Sequence, residues 1–554
     1  MPMDIEQTAK ELRGRIAGEV QTNSFTRELY SRDASIFEIQ PSIVVFPKVV
    51  KDVEEIVRFV HEKKSAGQDI SLSARAAGTD MTGGSLTSSI MVVFTKYLNQ
   101  VQVFEDYAVT QLGAYYRDFE KETLKHDLIL PSYPVSRNIA AMGGIINNNS
   151  GGERTLMYGQ TDRYVEELHV VLSDGSTALF HPLDAAQLEE KKKLQNLEGE
   201  IYRRMHELIQ SNEEVITAGK PTVSKNASGY ALWRVWNKEK NTFNLAQLIV
   251  GAQGTLAFVT AARVRLVHPK NNRAMLVIFL KSLSEVPAIV HRVLAFEPES
   301  FESYDDHTFK LAIRFLPDIM RGLGLRKMIQ LGFAFLPEVW MALTGGVPKL
   351  ILTAEFAEDS AAAAQGKADA ASQALESLGI SNKVAKNEIQ SEKYWIVRRE
   401  SFSLLRKNLH GYTAAPFIDD FVVNPDLLPR FMPELNELLA KYDLIYTVAG
   451  HIGNGNFHII PLMNMSDPKS KEVIRELSGK VYELIIKYHG SITGEHNDGI
   501  IRTPFLPLMF GERMVELFAE TKKIFDPLNI LNPGKKVGGT FENIATHMIS
   551  KSQV

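Results

Sequence analysis

Ile70-Ser-Leu-Ser-Ala-Arg75-Ala-Ala-Gly78-Thr-Asp-Met-Thr-Gly83-Gly84-Ser85 decides how this chain folds. Its first half alternates apolar and small polar residues as a strand does, and its second half carries Gly78, Gly83 and Gly84 beside Thr79 and Thr82. A loop with so little side-chain bulk turns sharply and can aim backbone N–H groups at an anion. Upstream, Pro41 to Pro47 reads as a short strand between prolines. Asp52 to Glu62 follows with Val53, Ile56, Val57 and Val60 at helical spacing. Strand, helix, strand and glycine turn is an α/β opening. The loop has neither the GxxxxGK[ST] nor the GxGxxG spacing, so the common nucleotide and dinucleotide motifs are excluded.

Two more glycine clusters lie further on. Gly143-Gly144-Ile-Ile-Asn147-Asn-Asn-Ser-Gly151-Gly152 has strand candidates around it, and Gly251-Ala-Gln-Gly254-Thr255 runs into a β-branched stretch. One cluster means a tight turn; repeated clusters point to a large phosphorylated cofactor threaded along backbone. His268-Pro269-Lys270 marks a domain boundary. Beyond it, strands at Met275–Phe279, Leu350–Phe356 and Leu444–Val448 alternate with helices at Val286–Ala295, Ala361–Leu378 and Leu427–Ala440, which reads as a second α/β domain.

Composition narrows the classes. The chain has 554 residues, enough for several cores, and its 66 acidic against 62 basic residues give a net charge of −4. That balance argues against nucleic acid as a partner. With no cysteine, disulfides, thiolate zinc and an iron–sulfur cluster held by this chain are excluded. The acidic N-terminal stretch does not read as a secretory signal, and the apolar runs are strand-sized, so no transmembrane segment is expected. A cytoplasmic protein is expected, with peripheral attachment at the inner membrane face left open.

The strongest chemical signal comes late. His451-Ile-Gly453-Asn454-Gly455-Asn456-Phe-His458 sets two imidazoles across a glycine-rich turn, and Thr493-Gly494-Glu495-His496 adds a carboxylate and a third imidazole. Two His and one Glu can complete a divalent-metal site, with Zn, Mn, Fe or Co all compatible; imidazoles that bind substrate without metal are the alternative. In an extended segment Glu495 and His496 point opposite ways, which would free His496 to act as a base. Arg398, in Tyr394-Trp395-Ile-Val-Arg398-Arg399, offers a fork for a carboxylate or a solvated helix face.

In this order the motifs resemble the FAD-linked oxidases and dehydrogenases of the vanillyl-alcohol oxidase superfamily, the branch with D-lactate, glycolate and D-2-hydroxyglutarate dehydrogenases. The resemblance runs from about Tyr30 to Lys536. It implies an α+β fold: a two-subdomain FAD-binding domain of the PCMH type over 1–268, an α/β substrate cap over 269–509, and a C-terminal return over 510–554. The cofactor-binding residues it implies begin with Arg75, Ala77, Gly78, Thr79, Thr82, Gly83 and Gly84. Pro131, Gly143, Gly144, Asn148 and Gly151 form the second contact region, and Gly254, Thr255 and Asn532 complete the set. Lys225, Asn226, Gly229 and Tyr230 match a segment near cofactor or substrate. His451, His458 and Glu495 fall on metal ligands, His496 on the proton acceptor and Arg398 on the substrate-carboxylate anchor. Ala252, Gln253 and Asn454 depart from the family pattern.

The implied activity is oxidation of a small D-2-hydroxy acid, D-lactate-like, to the 2-oxo acid, with the hydride passing to flavin N5. Pro416, Phe417 and Ile418 stand where the hydroxyglutarate branch has a lysine-containing stretch, which counts against a second substrate carboxylate. The electron acceptor would be separate: a quinone, a cytochrome, an electron-transfer flavoprotein or O2. Homo-oligomerisation is left open. An alkyl-glycerone-phosphate synthase-like flavoenzyme and a non-catalytic binding protein are the competing readings. The apolar stretch Ile319–Trp340 reads as cap core or as a quinone-side surface.

Overall fold

In the computed structural model, residues 2–306, 308–309, 348–408 and 411–550 are described; Ile319–Trp340 lies outside them. The opening segment folds as its pattern implies. Strand Ile43–Phe46 leads into helix Val50–Ser65, which buries Val53, Ile56, Val57 and Val60, and strand Leu72–Arg75 follows. Asp52 anchors the helix start, its carboxylate accepting from Lys48 N at 2.8 Å and Ala17 N at 2.9 Å. Ile90–Val93 lies between the other two strands and pairs with both in parallel; Glu19–Gln21 completes this four-stranded sheet. The glycine loop leaves from the end of Leu72–Arg75, the edge strand of this sheet.

A second sheet is antiparallel, in the order Val101–Val103, Tyr107–Gln111, Phe258–Arg265, Val165–Val171, Thr177–Phe180. An Asp174-Gly175 hairpin turn joins its last pair, with Gly175 at φ +82°. One local reading changes. Gly143 and Gly144, read as part of a turn, lie inside the short helix Met142–Asn147. Gly143 is needed there for close approach: a Cβ would stand 2.7 Å from the Leu112 carbonyl oxygen.

The cap is built on a third sheet. Its order is Ser381–Val384, Asn272–Leu280, Leu350–Glu358, Ser300–Asp305, Ile445–His451, Asn456–Met463 and Thr413–Ala414, every pairing antiparallel. Strand Asn272–Leu280 is apolar almost throughout because both of its faces are covered. Leu276, Ile278 and Leu280 meet the helices Val286–Leu294 and Ala361–Glu376, while Met275 and Val277 meet Tyr394 and Val397 of helix Glu388–Asn408. The site occupies that second face.

The chain then returns. Helix Leu506–Phe525 buries Leu517, Phe518 and Phe525 with the second sheet, whereas Ile544 and Met548 pack into the cap core. Between them Leu531 forms a parallel bridge with Leu72. No described helix is long and apolar enough to cross a membrane.

Candidate active site

A cleft of about 1290 Å³ joins the glycine loops to the histidine cluster. Arg75, Ala77, Gly78, Thr79, Gly84, Gly143, Gly144, Asn148, Gly151 and Gly254 line it on one side, and Arg398, His458, Glu495 and His496 on the other. Gly144 is the most telling of these. Gly143 fits its Cα into the protein, but a Cβ at Gly144 would meet nothing within 4 Å and would project into open space. Gly254 adds a positive φ of +67°.

Other residues inferred to touch the cofactor sit behind the cleft wall. Thr82 is fully buried and donates to Asp80 Oδ2 at 2.8 Å, and the same carboxylate accepts from Gly84 N at 2.6 Å. Gly83 backs onto Phe37 and Ile500. Pro131 lies outside the lining, just ahead of Tyr133, which is part of it. Thr255 donates to the Ala252 carbonyl at 2.6 Å and is bonded to Tyr230. Asn532 bonds Ser73, the Gly84 carbonyl at 2.8 Å and the Gln253 carbonyl at 2.7 Å. It ties two loops together from behind. Arg75 lines the cleft while its guanidinium is engaged by the carbonyls of Arg32 and Tyr30, the former at 2.6 Å.

The two histidines face each other across a hairpin. His451 ends strand Ile445–His451, a 3₁₀ turn Ile452–Asn454 and Gly455 at φ +67° reverse the chain, and His458 lies on Asn456–Met463 opposite Ala449. A side chain at Gly455 would strike the Val423 carbonyl, so this tight turn requires glycine. His451, His458 and Glu495 offer ligand atoms that all lie within 4.8 Å of one another. His451 Nδ1 is bonded to Glu302 Oε1 at 2.7 Å and His458 Nδ1 to Asp419 Oδ1 at 3.1 Å. Carboxylates on Nδ1 orient metal-binding imidazoles in this way and leave Nε2 for the ion. The buried His451 Nε2 makes no hydrogen bond among the described residues and stands 3.5 Å from Glu495 Oε1. Burial, followed by the nearby Lys225 charge, holds His451 well below the usual imidazole range.

The expected alternation of Glu495 and His496 is not what the backbone does. Glu495 N and His496 N both donate to Asp420 Oδ2, at 2.8 and 2.7 Å, and Asn497 has φ +72°. Successive N–H groups of an extended chain diverge, so this segment is a bend wrapped around one carboxylate. Both side chains therefore serve the same cluster, and Asp420, Glu495 and His496 also fall within mutual ligand distance. The His496 imidazole is shifted as well. Burial pulls it down, but Asp420 and Asp419, the latter 2.9 Å away, outweigh that and push it up to about 9.

Arg398 projects from helix Glu388–Asn408, donates Nε to Glu302 Oε2 at 3.1 Å, and among the described residues its Nη2 has no hydrogen-bond partner. Glu302 thus joins Arg398 to His451, and no local sequence signal marked it. Lys225, fully buried, donates to Glu495 Oε1 at 2.5 Å. Asp419 and Asp420, which complete the cluster, are both fully buried. The cleft fits FAD, since glycine backbone lines it and Gly144 leaves open space where a side chain would intrude. The histidine–carboxylate set fits a divalent ion by its donor chemistry and by the unpartnered His451 Nε2.

Comparisons with known proteins agree with this geometry. The FAD binding domain profile matches residues 41–179, and the profile of FAD linked oxidases, C-terminal domain, matches 269–536. A D-2-hydroxyglutarate dehydrogenase of Pseudomonas putida is 27% identical over 525 residues, covering 94% of this chain and 50% of the relative. This chain therefore spans about half the length of that protein. A D-lactate dehydrogenase of Archaeoglobus fulgidus is 26% identical, covering 89% and 91% of the two chains. The solved structure of an alkyldihydroxyacetonephosphate synthase superposes with a TM-score of 0.65 at 13% identity over 96% of this chain and 85% of that one, a likeness of fold. Both halves of the family pattern are present, in order, over the residues that build the two sides of the cleft. The chain carries an FAD binding domain followed by the C-terminal domain of FAD linked oxidases, with FAD as its cofactor.

Proposed function

We propose that the protein oxidises a small D-2-hydroxy acid, of the D-lactate type, to the 2-oxo acid. The observation that carries this reading is the continuity of one cleft from the glycine loops to Arg398, His458, Glu495 and His496. The similarity to proteins named D-2-hydroxyglutarate and D-lactate dehydrogenase supports the same class.

When bound, FAD would accept the C2 hydride, and a divalent ion held by His451, His458 and Glu495 would make the substrate hydroxyl more acidic. Arg398 is proposed to bind the substrate carboxylate through its free Nη2, with Glu302 fixing the guanidinium from behind. His496 takes the hydroxyl proton. In the metal-free chain its two aspartates keep it protonated, and a further positive charge in the cluster would push its pKa back down. The cofactor contacts follow the cleft: Gly78, Thr79, Gly84, Gly144, Asn148 and Gly254 by direct approach, Thr82, Thr255 and Asn532 by shaping the loops.

Acid size is read from the cap wall. Thr447 and Ala449 pair with Ile460 and His458 and, with Ala414, line the cleft beyond the imidazole. These neutral, small or apolar side chains suit a monocarboxylate with a short side chain better than a dicarboxylate. Reducing equivalents would leave to a separate acceptor, because a chain without cysteine has no thiolate cluster of its own. Anaerobic mixing with D- and L-hydroxy acids, following flavin absorbance, tests the proposal. Bleaching by D-lactate or a close analogue is expected, and an unbleached flavin with every member of the panel rejects it.

A further inference from the structure

The Lys225 side chain has no exposure to solvent, and its ammonium donates hydrogen bonds to two described side-chain atoms: Glu495 Oε1 at 2.5 Å and Asn456 Oδ1 at 3.5 Å. A lysine is rarely buried so completely unless its charge is answered. Here it is answered by a carboxylate of the His451–His458–Glu495 set. The lysine comes from the FAD-binding side of the cleft and the three candidate ligands from the cap sequence. We propose that Lys225 is a resident counter-cation of this site, balancing Glu495 when no metal is present and competing with a divalent ion for it. The proposal rests on the reading of the three residues as a metal site.

Three observations carry it. First, the lysine is placed by contacts that do not involve Glu495. Ser224 Oγ donates to the Asn454 carbonyl at 2.6 Å, Ala227 N to the Thr493 carbonyl at 3.1 Å, and Gly229 N to Asp498 Oδ2 at 2.8 Å. The ammonium is therefore delivered to the cluster whether or not an ion is there. Second, the oxygen it binds is the one 3.5 Å from the unpartnered His451 Nε2, so ammonium and metal would share a single carboxylate oxygen. Third, the place is buried, where like charges are screened weakly by solvent and salt. An ion entering must either move the ammonium aside or bind against its repulsion. Either way the metal is held less tightly than the ligand set alone would hold it, and the emptied site keeps a neutral pairing. This makes metal occupancy exchangeable.

The test compares parent and Lys225→Met, both purified with FAD and stripped with EDTA, by titrating Zn²⁺ and Mn²⁺ against a chromophoric chelator. Thermal unfolding is recorded in EDTA and with added metal. The variant is expected to bind the ion at least tenfold more tightly, to unfold at a lower temperature in EDTA, and to gain more than the parent from metal. Affinity equal to or weaker than the parent's would overturn the proposal and make Lys225 an orienting donor for Glu495. Stoichiometric binding by neither protein overturns the metal reading and this proposal with it. If Lys225→Met does not fold, Lys225→Gln carries the same expected sign.

Discussion

Glu302 and Arg398 are joined through the inner edge of the guanidinium: Nε donates to one carboxylate oxygen at 3.1 Å, while the other oxygen lies 2.7 Å from His451 Nδ1. A single buried carboxylate thus sets the bearing of the proposed substrate anchor and of a proposed metal ligand. The two functions proposed for the site share one support.

Glu302→Gln should disturb both at once. Glutamine keeps the shape but presents an amide N–H₂ where Arg398 or His451 needs an acceptor. Metal affinity should fall about tenfold, the low end of the range for losing such a support. KM for the hydroxy acid should rise by a similar factor, with a smaller change in kcat. Chelator competition and steady-state kinetics read the two effects. An unchanged KM would show that Glu302 does not position Arg398.

Gly144→Val separates folding from cofactor retention. A Cβ there meets nothing within 4 Å, so the variant should fold and unfold as the parent does when both lack FAD. Bound FAD should drop at least tenfold, because the new methyls enter the cleft. Gly143→Val is the counterpart: its Cβ would strike the Leu112 carbonyl at 2.7 Å, and loss of soluble protein is expected. Full flavin occupancy in Gly144→Val would remove that segment from the cofactor contacts.

His496→Asn should keep FAD and slow flavin reduction by about 10² to 10⁴, the usual cost of losing a positioned base. The expectation rests on its place in the cleft beside His458, with ring centroids 5.2 Å apart. Single-turnover reduction at the parent rate would exclude it as the base.

The same residue gives a pH signature in metal-stripped protein. Its folded-state pKa, about 9, lies above the ordinary 6.5, so the stabilisation from Asp420 and Asp419 is complete below pH 6.5 and is lost as pH rises through 9. The shift corresponds to about 3 kcal/mol at most. Denaturant unfolding across pH 6 to 10 should show the parent losing stability relative to His496→Asn. Parallel curves for the two proteins would contradict the charged imidazole.

Much of this was legible in the sequence because the signals were local. The glycine loop, the His451–His458 hairpin and the βαβ opening each depend on residues near one another, and turn and strand periodicity record them. Glu302 left no such trace, and Lys225 was marked only by its resemblance to a family segment near cofactor or substrate. They meet His451 and Glu495 across 149 and 270 residues, and an isolated Glu or Lys in a strand or loop looks like a surface group. The Glu495–His496 reading failed for a related reason. Strand alternation is a local default, and Asp420, 75 residues before Glu495, overrides it by collecting both N–H groups. Gly143 and Gly144 misled in the opposite direction, since glycine suggests a turn, whereas here it permits a helix to pack closely and a cleft to stay open.

Asn532 has a consequence for how the protein is made. Its side chain closes onto Ser73, Gly84 and Gln253, and Leu531 bridges to Leu72 beside it. The glycine loop proposed to hold the flavin is separated from this clasp by 448 residues of chain. A ribosome-bound nascent chain has therefore synthesised the whole cap before the cradle can be fastened. Flavin capture therefore waits until the chain has been made through Asn532, and an earlier encounter would find only unfastened loops.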